Sequence, residues 1–266
     1  MEEKVMDKNY SMKTIHRTIK IIKSFSLTKP SLSMTELNEM TGISIPSLQR
    51  ILSTLVYEGF LQRNEKTKKY QLGMELYFLG NLVQKNSNIL NAAMEVMERI
   101  REETSESVSL NTLFQNKSQK CIAFLKSYHE LVTEIHIGLV SPLHAGASAK
   151  VILAHMTEDE IRKYLESHPL EKFSESTIHD RDKLVDELKQ IRQNGYAVSY
   201  GERVKGAFSV SVPIFSSIDH VEDSMSITIP IARMEEYDVN NLISILKGGS
   251  SEVTKKLLQR SDSLDF

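Results

Sequence analysis

Apolar positions near the start of the chain recur at spacings of three and four residues, which is the period of an amphipathic helix. The pattern predicts a first helix over residues 14–27, which Pro30 would prevent from continuing. Its apolar stripe consists of Ile15, Ile19, Ile22 and Phe25. Because the stripe occupies one side, that side should pack against a small core.

Two more short helices are predicted after the first. Ser33 and Glu36 have the spacing of a capping box, so a second helix should begin there and end at Gly42. Ser44 is a suitable N-cap for a third helix, which should end at Gly59. The buried face of the third helix would consist of Leu48, Ile51, Leu52 and Leu55. A turn of about four residues between two such helices suits a helix-turn-helix.

Two strand-like segments, Phe60–Arg63 and Tyr70–Leu72, follow the third helix. The polar segment between them is typical of a hairpin tip, because Asn64 is a turn former and three lysines follow. Three helices followed by a two-stranded ribbon are the layout of a winged helix. Met74–Val83 should then form a linker helix, and the polar residues 86–88 mark a domain boundary.

The rest of the chain alternates between helix and strand patterns. Helices are predicted near 89–103, 149–155, 157–166, 181–193 and 239–258, and strands at 107–114, 120–126, 131–137, 196–200, 207–215 and 224–231. Strands joined as hairpins at both ends of this region predict a mostly antiparallel sheet with helices on one or both sides. The predicted fold class is α+β, with a winged helix-turn-helix at 12–73, a linker at 74–88 and a mixed α/β domain at 89–260.

Composition fits two ordinary soluble domains, since 40% of the 266 residues are hydrophobic and 26% are charged. The net charge of −2 divides unevenly: residues 1–80 hold 12 Lys+Arg against 8 Asp+Glu, and the remainder holds 21 against 27. The excess of positive charge in residues 1–80 indicates that this part of the chain binds nucleic acid. The polar N-terminus and the lack of a membrane-length apolar run predict a cytoplasmic protein. Cys121, the single cysteine, should be buried and inert.

Candidate DNA-reading residues lie on the third helix and in the wing. The recognition helix of such a unit enters the major groove, with its N-terminal residues toward the base edges. The helix positions outside the core are Ser44, Ser47, Gln49 and Arg50. Gln pairs well with adenine and Arg with guanine, whereas Ser44 would either cap the helix, which we favour, or contact DNA. Lys66, Lys68 and Lys69 suit phosphate contact or minor-groove entry, the alternative being a solvated hairpin tip.

Hydroxyl side chains alternate with aliphatic ones along two of the predicted strands. The alternating hydroxyls are Ser209 and Ser211 on the first strand, and Ser224, Ser226 and Thr228 on the second. Period two places them on one face of a sheet, either as a pocket wall or as an ordinary solvated face. The near absence of charge favours a pocket. The small residues Gly146, Ala147 and Ser148 near a helix start would let an anion approach backbone N–H groups.

Residues 33–73 resemble the N-terminal region of the IclR family of transcription regulators. The resemblance rests on Glu36-Leu37, Gly42, Arg50, Leu52, Leu55, Glu58-Gly59-Phe60-Leu61 and Tyr70-x-Leu72-Gly73. It continues in Ser141–Ala145 and in Gly195–Val198, Glu202, Gly206 and Pro213, and covers about residues 12–258. The chain departs from the family at Ala149-Lys150, where Gly-Lys is usual, and we expect this alanine to reshape the pocket.

The resemblance implies a GAF/PAS-like second domain that binds an effector. It also implies a transcription regulator that binds double-stranded operator DNA, and we favour a repressor over an activator. It implies an effector cavity that involves the small-residue segment and the positions Ser199, Ser209, Ser226 and Thr228. The effector would be a small organic, aromatic or sugar-derived acid. We also expect a homodimer or tetramer, because regulators gain affinity through symmetry and the linker helix carries Leu76, Phe78, Leu79 and Leu82.

Other kinds of site find little support in the sequence. The eight histidines lack metal-ligand spacing, and no phosphate loop, nucleophile elbow or zinc-protease motif occurs. We therefore expect no catalytic residue, no metal and no cofactor, with His144 structural or lining the pocket. Two alternatives remain: a winged helix fused to an enzyme such as an acetyltransferase, or to a domain that only oligomerises.

Overall fold

The computed structural model describes residues 12–217 and 220–261. The chain forms two compact units, which divide between Asn86 and Ser87. Within the described ranges, no helix is long and apolar enough to cross a membrane.

From residue 12 onward, where the structure describes it, the first unit contains four helices and a two-stranded wing. Its elements are α1 (Lys13–Ile22), α2 (Met34–Thr41), α3 (Ile45–Tyr57), β1 (Leu61–Arg63), β2 (Tyr70–Leu72) and α4 (Met74–Asn86). The strands pair antiparallel, and Leu32 adds a short bridge to Tyr70 that the sequence pattern did not predict. The core includes all four residues predicted for the buried face of α3, together with Leu37 and Leu61.

Local capping explains where α2 begins and ends. The Ser33 hydroxyl accepts the Glu36 N–H, and the Glu36 carboxylate accepts the Ser33 N–H at 2.7 Å, so the predicted capping box forms. Gly42 terminates the helix in the left-handed region, at φ +68°, which glycine adopts without strain.

The first helix is shorter and turned differently from the prediction. It ends at Ile22 rather than near residue 27, because the Ser24 N–H bonds to Ile21 O and closes the last turn. Ile21 is fully buried, whereas Ile15 and Ile19 are 52% and 45% exposed. The predicted stripe was therefore wrong in its first half, because only the C-terminal end of the helix reaches the core.

The second unit is an antiparallel six-stranded sheet with helices on both faces. Its helices are α5 (Asn88–Thr104), α6 (Ala147–Ala154), α7 (Glu158–Ser167), α8 (Arg181–Asn194) and α9 (Val239–Ser261). Its strands are β3 (Ser107–Phe114), β4 (Ser118–Leu125), β5 (Val140–Pro142), β6 (Ala197–Tyr200), β7 (Ala207–Ser217) and β8 (His220–Pro230), in the order β5-β4-β3-β8-β7-β6. Helices α5 and α9 share a core with one face, and α6 packs against the other. The predicted antiparallel sheet is confirmed.

One predicted strand does not form. Residues 131–137 are irregular, although the segment is rich in the β-branched residues that are typical of strands. The reason is that the edge of β4 is already occupied by β5, which pairs Ser118 with Pro142 and Lys120 with Val140. Thr133 and Ile135, from this irregular segment, instead line a cavity beside the sheet.

Candidate functional site

The exposed face of α3 carries the predicted DNA-reading residues. Gln49 and Arg50 are exposed, on the side opposite the buried leucines, and Ser47 is half-buried. Ser53 is also exposed and lies one turn beyond Gln49, so it extends the same face. Ser53 was not among the residues predicted from the sequence, although its spacing of four from Gln49 could have identified it.

Ser44 precedes α3 but does not cap it through its side chain. Its hydroxyl makes no capping hydrogen bond, so the favoured capping role was wrong. Pro46 occupies the second helical position and has no N–H, which removes one of the two donors that an N-cap side chain accepts. The Ser44 side chain is exposed and available to another partner.

A basic residue from α1 reaches the start of α3. An Arg17 guanidinium N–H donates to the Ser47 hydroxyl at 3.2 Å, so positive charge lies beside the N-terminal turn of the predicted recognition helix. The first-helix pattern gave no sign of this contact, because it depends on how α1 packs.

The three wing lysines differ in their partners. The Asn64 carboxamide oxygen accepts the N–H groups of Lys66 and Thr67 and shapes the tip, as expected of a turn former. Lys68 forms an exposed ion pair with Glu65 at 3.0 Å, and Lys69 forms one with Glu36 at 3.5 Å. The Lys66 ammonium makes no ion pair with any residue that the structure describes.

In the second unit, the predicted hydroxyl face exists and extends over four strands. Ser226 on β8 lies opposite Ser211 on β7 and opposite Ser109 on β3. Two residues along β8, Thr228 lies opposite Ser209, which in turn lies opposite Ser199 on β6. Directly opposed residues of antiparallel strands share a face, so these hydroxyls form two adjacent rows.

The start of α6 faces these rows. Gly146 precedes the helix at φ +92°, a conformation that favours glycine, and α6 begins at Ala147, two residues earlier than predicted. The Ser224 hydroxyl donates to Ser148 O at 3.1 Å and ties α6 to the sheet. The Gly146 N–H is already bonded to the Glu202 carboxylate at 3.2 Å, so this N–H is not free for a ligand.

Between α6 and the sheet lies a cavity of about 70 Å³. All seven predicted effector residues line it: Gly146, Ala147, Ser148, Ser199, Ser209, Ser226 and Thr228. Ser211 is not among the lining residues, and its hydroxyl shares a hydrogen bond of 2.5 Å with Ser226. Ala149 is buried and does not line the cavity, so an effect of this alanine on the pocket stays a prediction and would have to act through the packing of α6.

Several lining residues were not predicted from the sequence. They include Ser109, Asn111, Gln119, Thr133, Glu202 and Arg203. Glu202 lies deep in the wall, where its Oε1 accepts from the Lys150 ammonium at 2.6 Å. Lys150 is fully buried and also contacts the Glu187 carboxylate. Only the tertiary fold brings these charges together, since Lys150 and Glu202 are 52 positions apart.

Two further candidate residues have structural environments. Burial raises the pKa of the Cys121 thiol to about 11, so the lining thiol is protonated at neutral pH. His144 is buried away from the cavity lining, with its ring nitrogens near the Tyr164 hydroxyl and Glu171 O. Among the residues of the described ranges, no group of three or more His, Cys, Asp or Glu side chains could hold a metal ion.

Family models match both units of the chain. The IclR helix-turn-helix domain matches residues 14–65, and the C-terminal domain of the bacterial transcriptional regulator IclR matches residues 82–255. This chain belongs to the IclR family of bacterial transcriptional regulators. The resemblance drawn from the sequence is therefore confirmed, as are the fold class and the function: a DNA-binding transcription regulator with a C-terminal effector-binding domain.

Individual relatives agree with this assignment. The HTH-type transcriptional regulator KipR of Bacillus subtilis is 32% identical over 92% of this chain and 97% of KipR. The transcriptional repressor IclR of Escherichia coli is 23% identical over 91% of this chain and 89% of its own length. An IclR homolog from Microbacterium hydrocarbonoxydans, solved in complex with 4-hydroxybenzoate, superposes with a TM-score of 0.83 at 21% identity, over 93% of this chain and all of that chain. At this identity the last likeness shows the fold.

Proposed function

We propose that this IclR-family regulator is a repressor whose operator binding is modulated by a small acid bound in the cavity between α6 and the sheet. The observation that carries the proposal is the cavity itself, lined by two rows of paired hydroxyls and by the start of a helix. Support from relatives comes from the E. coli repressor IclR and from the homolog complexed with 4-hydroxybenzoate.

We infer that operator contacts come from the exposed face of α3 and from the wing. Gln49 and Arg50 would contact base edges, Ser44 and Ser47 would contact bases or phosphates, and the wing lysines would contact phosphates. The uncompensated charge of Lys66 makes it the strongest phosphate contact of the three, because Lys68 and Lys69 would first have to leave their carboxylate partners.

We further propose a homodimer or a higher symmetric oligomer that uses α4. None of the thirteen residues of this helix is buried, although it carries Tyr77, Phe78, Leu79, Leu82 and Val83, all more than 40% exposed. A run of exposed large apolar side chains on one helix is typical of a surface that a second protein chain covers. A second copy of this chain would also supply the symmetry with which helix-turn-helix proteins read paired half-sites.

We propose no catalytic activity for the cavity. Its thiol has a raised pKa and is therefore not an activated nucleophile. Its carboxylate, Glu202, is held by Lys150 and by the Gly146 N–H. The relatives with names that state a function are transcription regulators.

The DNA-binding part is tested with a sequence selected from random DNA by the full-length protein and with an unselected duplex, by fluorescence anisotropy at several salt concentrations. Arg50→Ala should weaken binding to the selected sequence by about 1–3 kcal/mol and leave unselected DNA nearly unaffected. Lys66→Ala is the matched control: it should weaken both duplexes alike and reduce the salt slope by about one unit. Wild-type affinity of Arg50→Ala for the selected sequence would show that this face of α3 does not read bases.

A further inference from the structure

Three buried polar atoms without partners face the same cavity. Gln119 Oε1, Thr133 Oγ1 and Arg203 Nε make no hydrogen bond with any described residue, and all three residues line the cavity. Gln119 is itself only 7% exposed. A folded protein rarely leaves buried polar atoms unsatisfied. Their convergence on one cavity therefore indicates a polar molecule that bonds to all three.

Arg203 is the unpaired charge of this wall. Its guanidinium makes no ion pair within the described part of the chain, and it stacks over the Phe173 ring at 5.2 Å from the centroid. The Phe173 ring in turn stacks on His144, with 5.9 Å between the ring centroids. The Thr177 hydroxyl donates to Glu202 O at 2.6 Å and fixes the adjacent backbone. Arg203 is therefore held in place without an anionic partner.

Within the described residues, no ion pair joins the neighbouring carboxylate to Arg203. Glu202 already accepts from Lys150 at 2.6 Å and from the Gly146 N–H at 3.2 Å. Arg203 also begins beside the start of α6, since its Cβ lies 3.4 Å from where a Cβ on Gly146 would be. A guanidinium and a helix N-terminus on the same side of a cavity both favour an anion there.

Gln119 makes the cavity favour a hydrogen-bond donor on the ligand, in addition to an anionic group. Its Nε2 donates to the Ser148 hydroxyl at 2.8 Å, which leaves Oε1 as an acceptor for a ligand donor. The Ser148 hydroxyl accepts that bond, so its own O–H can be donated to an anion. The ligand should thus carry both an anionic group and a hydroxyl.

The size of the cavity restricts the ligand further. Its volume is about 70 Å³. An engineered apolar cavity of ~150 Å³ holds a benzene ring, so about half that volume suits a short chain better than an aromatic ring.

We propose that the cavity binds a short-chain hydroxy acid, with its carboxylate on Arg203 and its hydroxyl on Gln119. The inference rests on the proposed effector function, and it names the class of acid and the two residues that select it. The carboxylate would thus bind a cationic side chain, Arg203, beside the helix start, and Arg203 was not among the residues predicted from the sequence.

The test is calorimetric titration of the full-length protein with matched acids. Lactate and 3-hydroxybutyrate are compared with propionate and butyrate, which lack the hydroxyl, and with lactamide, which lacks the charge. The hydroxy acids should bind about tenfold or more tightly than their deoxy counterparts, the effect of one satisfied hydrogen bond in a buried site. Lactamide should not bind measurably. Equal affinities of lactate and propionate would overturn the proposal without any variant.

Two variants then test which residue binds the carboxylate and which binds the hydroxyl of the ligand. Arg203→Gln should weaken lactate binding by about a hundredfold. Lys205→Gln removes the same charge from an exposed position in the same loop and should leave binding unchanged. Gln119→Met should abolish the preference for lactate over propionate. An equal loss in Arg203→Gln and Lys205→Gln would overturn the assignment of the carboxylate to Arg203.

A separate measurement distinguishes failure of this inference from failure of the proposed function. The same acids and 4-hydroxybenzoate are added to the protein bound to its selected DNA. If 4-hydroxybenzoate or another larger acid changes DNA affinity and the short hydroxy acids do not, the hydroxy-acid inference fails while effector control stands. If no acid of either kind binds or changes DNA affinity, both fail.

Discussion

The buried ion pair between Lys150 and Glu202 offers a sharp test of what holds α6 in place. The Lys150 side chain is fully buried and that of Glu202 is 8% exposed, with 2.6 Å between Nζ and Oε1. Glu187, which is 27% exposed, supplies a second carboxylate to the same ammonium group. We consider Lys150→Met, Glu202→Gln and the double variant, because Met and Gln keep approximately the original volumes.

The size of the effect follows from burial. Removing one partner of a buried pair leaves an uncompensated charge, which usually costs about 3–5 kcal/mol. Lys150→Met should lower the free energy of unfolding by about 3 kcal/mol, since Glu202 keeps its bond from the Gly146 N–H. Glu202→Gln should cost a similar amount or less, because Lys150 keeps Glu187. The double variant removes both charges and should lose less stability than the two single losses added together, with a coupling of about 2 kcal/mol.

Urea unfolding and thermal melting of the full-length protein measure these differences. For a protein of this size, about 3 kcal/mol corresponds to a melting temperature lower by roughly 6–12 °C. Lys189→Met is the control, because Lys189 is 68% exposed and lies 3.5 Å from the exposed Asp186. It should change stability by less than about 0.5 kcal/mol. A loss in the double variant equal to the sum of the two single losses would refute the reasoning, since the pair would then have no coupling.

Two further predictions concern α4 and Cys121. Leu82→Glu should lower the oligomeric state measured by sedimentation velocity. Gln84→Glu adds the same charge to an exposed polar position and should leave the oligomeric state unchanged. Equal assembly of both variants would count against an α4 interface. Burial raises the pKa of the Cys121 thiol from 9.0 to about 11, so stability that is fully present below pH 9 should decline as the pH rises through 11, by about 3 kcal/mol in total. Cys121→Ala should flatten this decline in alkaline urea titrations, and an unchanged slope would contradict it.

Features that depend on nearby residues could be predicted from the sequence. The capping box of α2 needs only Ser33 and Glu36, three positions apart, and it forms as expected. The hydroxyl rows need only the two-residue period of a strand, and β7 and β8 do pair with their hydroxyls opposed. The predictions for the first half of α1 and for the segment 131–137 were wrong for one common reason. A strand-like composition or a helical spacing indicates what a segment could form, but not whether another element is present to pair with it or to cover it.

The residues that give the cavity its polarity lie beyond the reach of such patterns. In the sequence, Arg203 stands in a polar loop between two glycines, where a charged side chain would ordinarily be solvated. In the fold, the Arg203 guanidinium stacks on the Phe173 ring and has no carboxylate partner among the described residues, because the neighbouring Glu202 accepts a hydrogen bond from Lys150. If Lys150 were absent, Glu202 would keep only its bond from the Gly146 N–H, and its uncompensated charge beside Arg203 would disfavour any acid in the cavity. The buried lysine therefore links the stability of α6 to the charge of the site, although Lys150 itself does not line the cavity.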